Sequence, residues 1–216
     1  MEFKPEMLQT YLIAGTADVP DGQLLKFVER ALKAGITAFQ YREKGLYALT
    51  GVAKANLGKQ LLALCHDYDV PLIIDNDIDL AVQLHADGIH VGQTDTDIRD
   101  VIKAVGPEMF VGLSCHTAAQ IRVANEVPEI SYIGSGAVFP SPFKHGSPVI
   151  GLAGLRDLVQ LSRVPVVAIG GIDETNIIDL PATGVAGASV ISMMTQSPNI
   201  EATIALMNQI QYLSAG

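Results

Sequence analysis

The chain reads as a single-domain TIM (β/α)₈ barrel of the α/β class spanning residues 1–216, and three observations lead there. Strand-like and helix-like stretches alternate eight times, at roughly 25 to 30 residues per unit, the repeat of a parallel barrel. The strand-like stretches are near-continuous apolar runs, as expected of strands covered by helices. Polar and charged residues gather where those runs end, and all strand C-termini of a barrel open on one face. A doubly wound open sheet is the alternative. It would place a G-x-G-x-x-G turn after the first strand, and Gly15-Thr16-Ala17-Asp18 does not supply one.

Tyr11 to Ala14 is the first strand, and Gly15 to Gly22 is a turn-rich loop. The next helix carries Leu24, Leu25, Val28, Ala31 and Leu32 at a 3.6-residue period. After the apolar lead-in Gly35 to Phe39, Gln40 to Lys44 forms strand two, and Leu57 to Cys65 marks a helix ending near Asp69. Pro71 to Asn76 is strand three, Leu80 to Leu84 a short helix, and Gly88 to Gln93 strand four. Phe110 to Cys115 is strand five, Ala118 to Asn125 a helix, and Tyr132 to Phe139 strand six, with Gly134 and Gly136 leaving room on one face. Pro140 to Gly151 is the least regular segment and reads as a mobile loop with a task. Leu152 to Leu161 is a helix and Val164 to Ile169 is strand seven, ending in Gly170-Gly171. Thr175 to Leu180 makes a helical turn, Ala188 to Ser192 is strand eight, and Ile200 to Tyr212 is the closing helix.

Composition narrows the function classes. With 49% hydrophobic and 17% charged residues the chain is too apolar for a disordered segment and long enough for one well-buried core. A net charge of −9 without a basic run excludes nucleic acid as the main partner. Phosphorylated small molecules remain, because a few focused cations in a cleft override the overall sign. No apolar run reaches membrane-spanning length, and the first residues lack a basic region followed by an apolar core. A cytoplasmic protein without membrane partners is expected, with homo-oligomerisation left open. Cys65 and Cys115 lack metal-ligand spacing and read as small packed hydrophobes.

The strand ends carry the chemistry: Gln40, Arg42 and Lys44; Asp75, Asn76 and Asp77; Gln93 and Asp95; Ser114 and His116; Ser141 and Lys144; Gly170 and Gly171; Ser192. Side chains alternate along a strand, so Gln40, Arg42 and Lys44 share a face, and the two cations are costly there without an anionic partner. A solvated strand end, with Glu43 absorbing the charge, is the plainer account of that stretch. Three cations among several carboxylates suit a diphosphate held directly and through Mg²⁺. Asp77 and Thr117 each precede a helix and suit N-caps. Gly170-Gly171 and Ile191-Ser192 follow the last two strands, where barrels build phosphate sites from backbone N–H groups, although a tight turn with φ > 0 would also call for glycine. His66 and His85 fall on helices, and His90 reads as a hydrogen-bonded core residue rather than a ligand. His116 and His145 stand near the mouth and receive no role.

Five motifs carry a resemblance to the thiamine-phosphate synthase family: Gln40-Tyr41-Arg42-Glu43-Lys44, His90 to Asp95, Gly112 to Thr117, Tyr132 to Pro140 with Lys144 beyond, and Val166 to Ile172. The resemblance implies joining hydroxymethylpyrimidine diphosphate to thiazole phosphate with Mg²⁺ and release of pyrophosphate. It implies that Gln40, Arg42, Lys44, Ser114 and Lys144 hold the pyrimidine diphosphate, with Arg42, Lys44, Ser114 and Lys144 acting in catalysis. Asp75 and Ser141 join the substrate-binding set, Asp95 ligates the metal, and the second phosphate lies against Gly171, Ile191 and Ser192. The chain departs from the family pattern twice. Asp75-Asn76 inverts the usual Asn-Asp order, leaving Asn76 as the amide metal ligand with Asp75 and Asp77 as alternatives for completing the shell. Phe143 stands where the family loop has a hydroxyl. A thiazole tautomerase-like barrel enzyme and a non-catalytic binder of phosphorylated ligands are the competing functions.

Overall fold

The computed structural model describes residues 1–140 and 148–212. Eight strands form a closed parallel barrel in sequence order: β1 Thr10–Ala14, β2 Ala38–Tyr41, β3 Leu72–Asp75, β4 Gly88–Val91, β5 Phe110–Ser114, β6 Ile130–Ser135, β7 Val166–Ile169 and β8 Gly187–Val190, with β8 paired back to β1. The helices are α1 Leu24–Ala34, α2 Gly51–His66, α3 Ile78–Leu84, α4 Ile98–Val105, α5 Ala118–Ala124, α6 Gly151–Leu161, the one-turn α7 Ser192–Thr195 and α8 Ile200–Gln209. A 3₁₀ segment, Ile177–Thr183, replaces the helix between β7 and β8, and Pro181 lies within it. The sequence assigns no helix between Asp95 and Phe110, and α4 corrects this. Its apolar residues Ile98, Val101, Ile102 and Val105 hold the i, i+3, i+4, i+7 spacing, and Asp97 caps it by accepting from Arg99 N–H.

Alternation divides the apolar residues into two layers. One layer, including Leu12, Phe39, Ile74, Ile89 and Val111, packs between barrel and helices. The other fills the barrel with Leu8, Tyr11, Ile13, Ala38, Ile73, Phe110, Tyr132 and Val167. Phe3 closes the N-terminal end, its ring stacked on Tyr132 at 5.7 Å and tilted against Phe110 at 5.5 Å. Both cysteines are free and buried, and burial pushes their thiols up to about 12, so they pack as inert groups.

Several strands stop short of their expected ends. β2 closes at Tyr41, because Arg42 N–H makes the last bond to β1, at Ala14 C=O, before Gly45 turns the chain at φ 101°. β6 ends at Ser135 instead of Phe139, and Val138 and Phe139 donate instead to the carbonyls of Ile169 and Gly170. β8 ends at Val190, and the final helix stops at Gln209 rather than Tyr212. The N-caps hold: Asp77 accepts from Leu80 N–H and Thr117 from Gln120 N–H.

Candidate active site

The strand C-termini surround a cavity of about 530 Å³. Register determines which residues reach it. Gln40 pairs with Ile13 and Ile73, both of the interior set, and therefore points inward, where it is buried. Two residues on, Arg42 and Lys44 keep the same side although the strand has ended, and both turn to Asp75 at the end of β3. Lys44 Nζ lies 2.6 Å from Asp75 Oδ2 and Arg42 Nε 3.8 Å from the same oxygen. Glu43 is otherwise engaged, accepting from Thr16 N–H, Thr16 Oγ1 and Leu49 N–H, so it fastens two loops and leaves the cations to Asp75.

On β4 and its exit, Asp95 accepts from Gly92 N–H at Oδ2 and from Asn76 Nδ2 at Oδ1, each at 2.7 Å. Asn76 has φ 47°, a left-handed conformation that asparagine tolerates, and its side chain reaches Asp95 without lining the cavity. Asp77 stays outside as well. Its two oxygens serve Leu80 N–H and Lys54 Nζ at the edge of a separate, open depression. Burial raises the Asp77 pKa, but the bonds from Lys54 and Leu80 outweigh it and hold the carboxyl below its usual value.

Ser114 ends β5 at the cavity, and Gln93 Nε2 donates to its carbonyl at 2.7 Å. The opposite wall is Gly170, Gly171, Ile191 and Ser192. Both glycines have positive φ, 94° and 68°, and a Cβ on Gly171 would sit 2.2 Å from Phe139 C=O. The chain leaving β6 thus requires glycine there whether or not a ligand is bound. Ser192 opens α7, whose first N–H groups have no partner within the helix. Ser141, Lys144, His145 and Phe143 lie outside the described residues. His116 donates from Nδ1 to Gly136 C=O at 2.6 Å and does not line the cavity.

Sequence reasoning missed the cavity floor. His90 lines it, bonding Tyr132 OH through Nδ1 at 3.1 Å and Ser114 Oγ through Nε2 at 2.9 Å. It is a satisfied histidine, as expected, but one that touches a site residue. Its depth in the barrel pushes its pKa down to about 4, which keeps the ring neutral at physiological pH. Tyr11 also lines the floor, and burial holds its phenol and that of Tyr132 above the usual value.

Residues 10–194 match the family model described as thiamine monophosphate synthase. The chain belongs to that family. It is 50% identical over 208 residues to the thiamine-phosphate synthase of Lactiplantibacillus plantarum, covering 96% of each chain. The corresponding protein of Limosilactobacillus reuteri is 48% identical over 213 residues, with 97% of this chain and 99% of the relative covered. The solved thiamine phosphate pyrophosphorylase of Pyrococcus furiosus superposes with a TM-score of 0.84 at 30% identity, covering 95% of this chain and 96% of the other. The barrel and family expected from the sequence are therefore borne out. Among the described residues no helix is long and apolar enough to cross a membrane.

Proposed function

We propose that the chain joins hydroxymethylpyrimidine diphosphate to thiazole phosphate, forming thiamine phosphate and releasing pyrophosphate. The carrying observation is the pairing of two cations with a carboxylate, Arg42 and Lys44 on Asp75, beside Asp95 and Ser114 in one cavity. An arriving diphosphate takes over these cations from Asp75, so binding exchanges one ion pair for another instead of desolvating bare charges. Arg42 and Lys44 then stand where negative charge grows as pyrophosphate departs, and stabilising that charge is the main demand of a dissociative displacement. The nucleophile is a thiazole nitrogen with a free electron pair, so no side-chain base is needed. The wall of Gly171, Ile191 and Ser192 holds the second phosphate and keeps that nitrogen in line.

The residues present fit Mg²⁺. Among the described residues, Asp75 Oδ2 is buried and, despite the nearby Lys44, receives no hydrogen bond of acceptable angle, and each Asp95 oxygen accepts one. Mg²⁺ favours one or two carboxylates plus substrate phosphates, so no group of three protein ligands is required, and none occurs among the described residues. Asp95 and Asp75 would hold the ion, and Asn76, expected from the sequence as an amide ligand, instead steadies Asp95 through Nδ2 from outside the cavity. When bound, the metal neutralises diphosphate charge and stabilises the leaving pyrophosphate. This reading carries small phosphorylated substrates and a cytoplasmic location with it.

Purified protein incubated with both substrates and Mg²⁺ is expected to yield thiamine phosphate and pyrophosphate in equal amounts. No product at saturating substrate and metal overturns the assignment.

A further inference from the structure

Beneath the cavity an unbroken chain of hydrogen bonds crosses the barrel. Gln40 Nε2 donates to Tyr11 OH at 2.7 Å, Tyr11 OH meets Tyr132 OH at 2.9 Å, Tyr132 OH meets His90 Nδ1 at 3.1 Å, and His90 Nε2 meets Ser114 Oγ at 2.9 Å. The links join β2, β1, β6, β4 and β5, and the two ends are polar residues of the proposed diphosphate site. The barrel is shaped to hold the middle of the chain. A Cβ on Gly112 would lie 2.3 Å from the Tyr132 ring and 2.5 Å from His90 Nδ1, so any larger residue there would displace the contact.

Counting donors leaves two polarities. In one, Tyr11 OH accepts from Gln40 and gives its own proton to Tyr132 OH. Tyr132 then has its proton free for His90 Nδ1, which must accept it. The neutral ring therefore carries its proton on Nε2 and donates to Ser114 Oγ. Ser114 is left with its own O–H uncommitted, and Gln40 keeps a second N–H. Reversed polarity would put the imidazole proton on Nδ1 and make Ser114 donate to His90, turning only lone pairs toward a bound anion. An anion site favours the first arrangement.

We propose that Tyr11, Tyr132 and His90 are positioning residues: a one-way hydrogen-bond relay that fixes His90 as the Nε2–H tautomer and aims the Ser114 hydroxyl proton at the diphosphate. Both halves of this statement rest on the function proposed above, because the bound anion selects the polarity.

Two measurements test it. Long-range ¹H–¹⁵N NMR on the full chain at neutral pH, with His90→Asn used to assign the His90 signals, should show protonated Nε2 and unprotonated Nδ1; the opposite tautomer overturns the relay. Pyrophosphate binding with Mg²⁺, followed by calorimetry, should weaken roughly tenfold in Tyr132→Phe, which keeps the ring packed on Phe3 and Phe110. In a Ser114→Ala background the same substitution should have no further effect. An equal loss in both backgrounds means that Tyr132 acts through general structure, and the relay fails. If the wild-type chain binds no pyrophosphate, the function assignment fails instead, and the NMR result alone decides the tautomer.

Discussion

The two ends of the barrel use the same eight strands in opposite ways. At the N-terminal end Phe3, Phe110 and Tyr132 pack into an aromatic plug, and the buried carboxylate Asp87 nearby is fully engaged by Leu72 N–H, His66 and the chain's own amino terminus. At the C-terminal end Asp75 pairs with two cations at the cavity, and among the described residues no donor is aligned on its Oδ2. One end is satisfied as it stands and serves stability. The other is where the proposed diphosphate would bind.

Substitutions at the two ends should therefore separate stability from activity. The largest effect is expected at the plug: Phe110→Ala removes a buried ring and should lower unfolding free energy by about 3 to 5 kcal/mol in denaturant titrations, while kcat of the folded fraction falls far less than in Lys44→Ala. A matching fall in kcat would blur the division. At the mouth, Lys44→Ala should reduce kcat by roughly a hundredfold, with Tm moving only a few degrees because Lys44 is 40% exposed. A large Tm loss with unchanged rate would place Lys44 among the structural residues.

His90 lies between the two ends. Its pKa of about 4 in the folded chain is below the ordinary value of 6.5, so between those limits the unfolded chain binds the extra proton. Stability should be complete above pH 6.5 and fall by about 1.4 kcal/mol per pH unit on descending toward 4. Burial dominates the depression. Asp75 and Asp95 oppose it, while Lys44 and His116 add to it. In His90→Asn this contribution to the slope should vanish, and an unaltered slope would show that other groups set it. The smallest effect belongs to Asp77→Ala, which removes a helix cap and the ion pair with Lys54. It should cost about 1 kcal/mol and leave the Mg²⁺ dependence of turnover untouched. A changed metal requirement would bring Asp77 back into the site.

Much of the mouth was legible because a parallel barrel gathers strand ends, so Gln40, Arg42, Lys44, Asp75, Asp95 and Ser114 could be grouped from strand positions alone. The cap at Asp77 was legible as well, from its place just before a helix. The link from Asn76 to Asp95 was not, because it depends on a backbone at φ 47°, which no periodicity reveals. The floor was hidden for another reason. Tyr11 and Tyr132 are 121 residues apart and meet only after the barrel closes, and their apolar neighbours make both look like packing residues. Helix α4 was readable from its spacing, but its charged positions Arg99, Asp100 and Lys103 resemble a solvated loop when taken singly.

The central claim, that the mouth is a pyrophosphate site and its cations are the working groups, is tested most directly by titrating pyrophosphate with Mg²⁺ into the wild-type and Lys44→Ala proteins in a calorimeter. The account predicts one site per chain in the wild type and about a tenfold or greater loss of affinity in the variant. Equal affinity in the two proteins would contradict it.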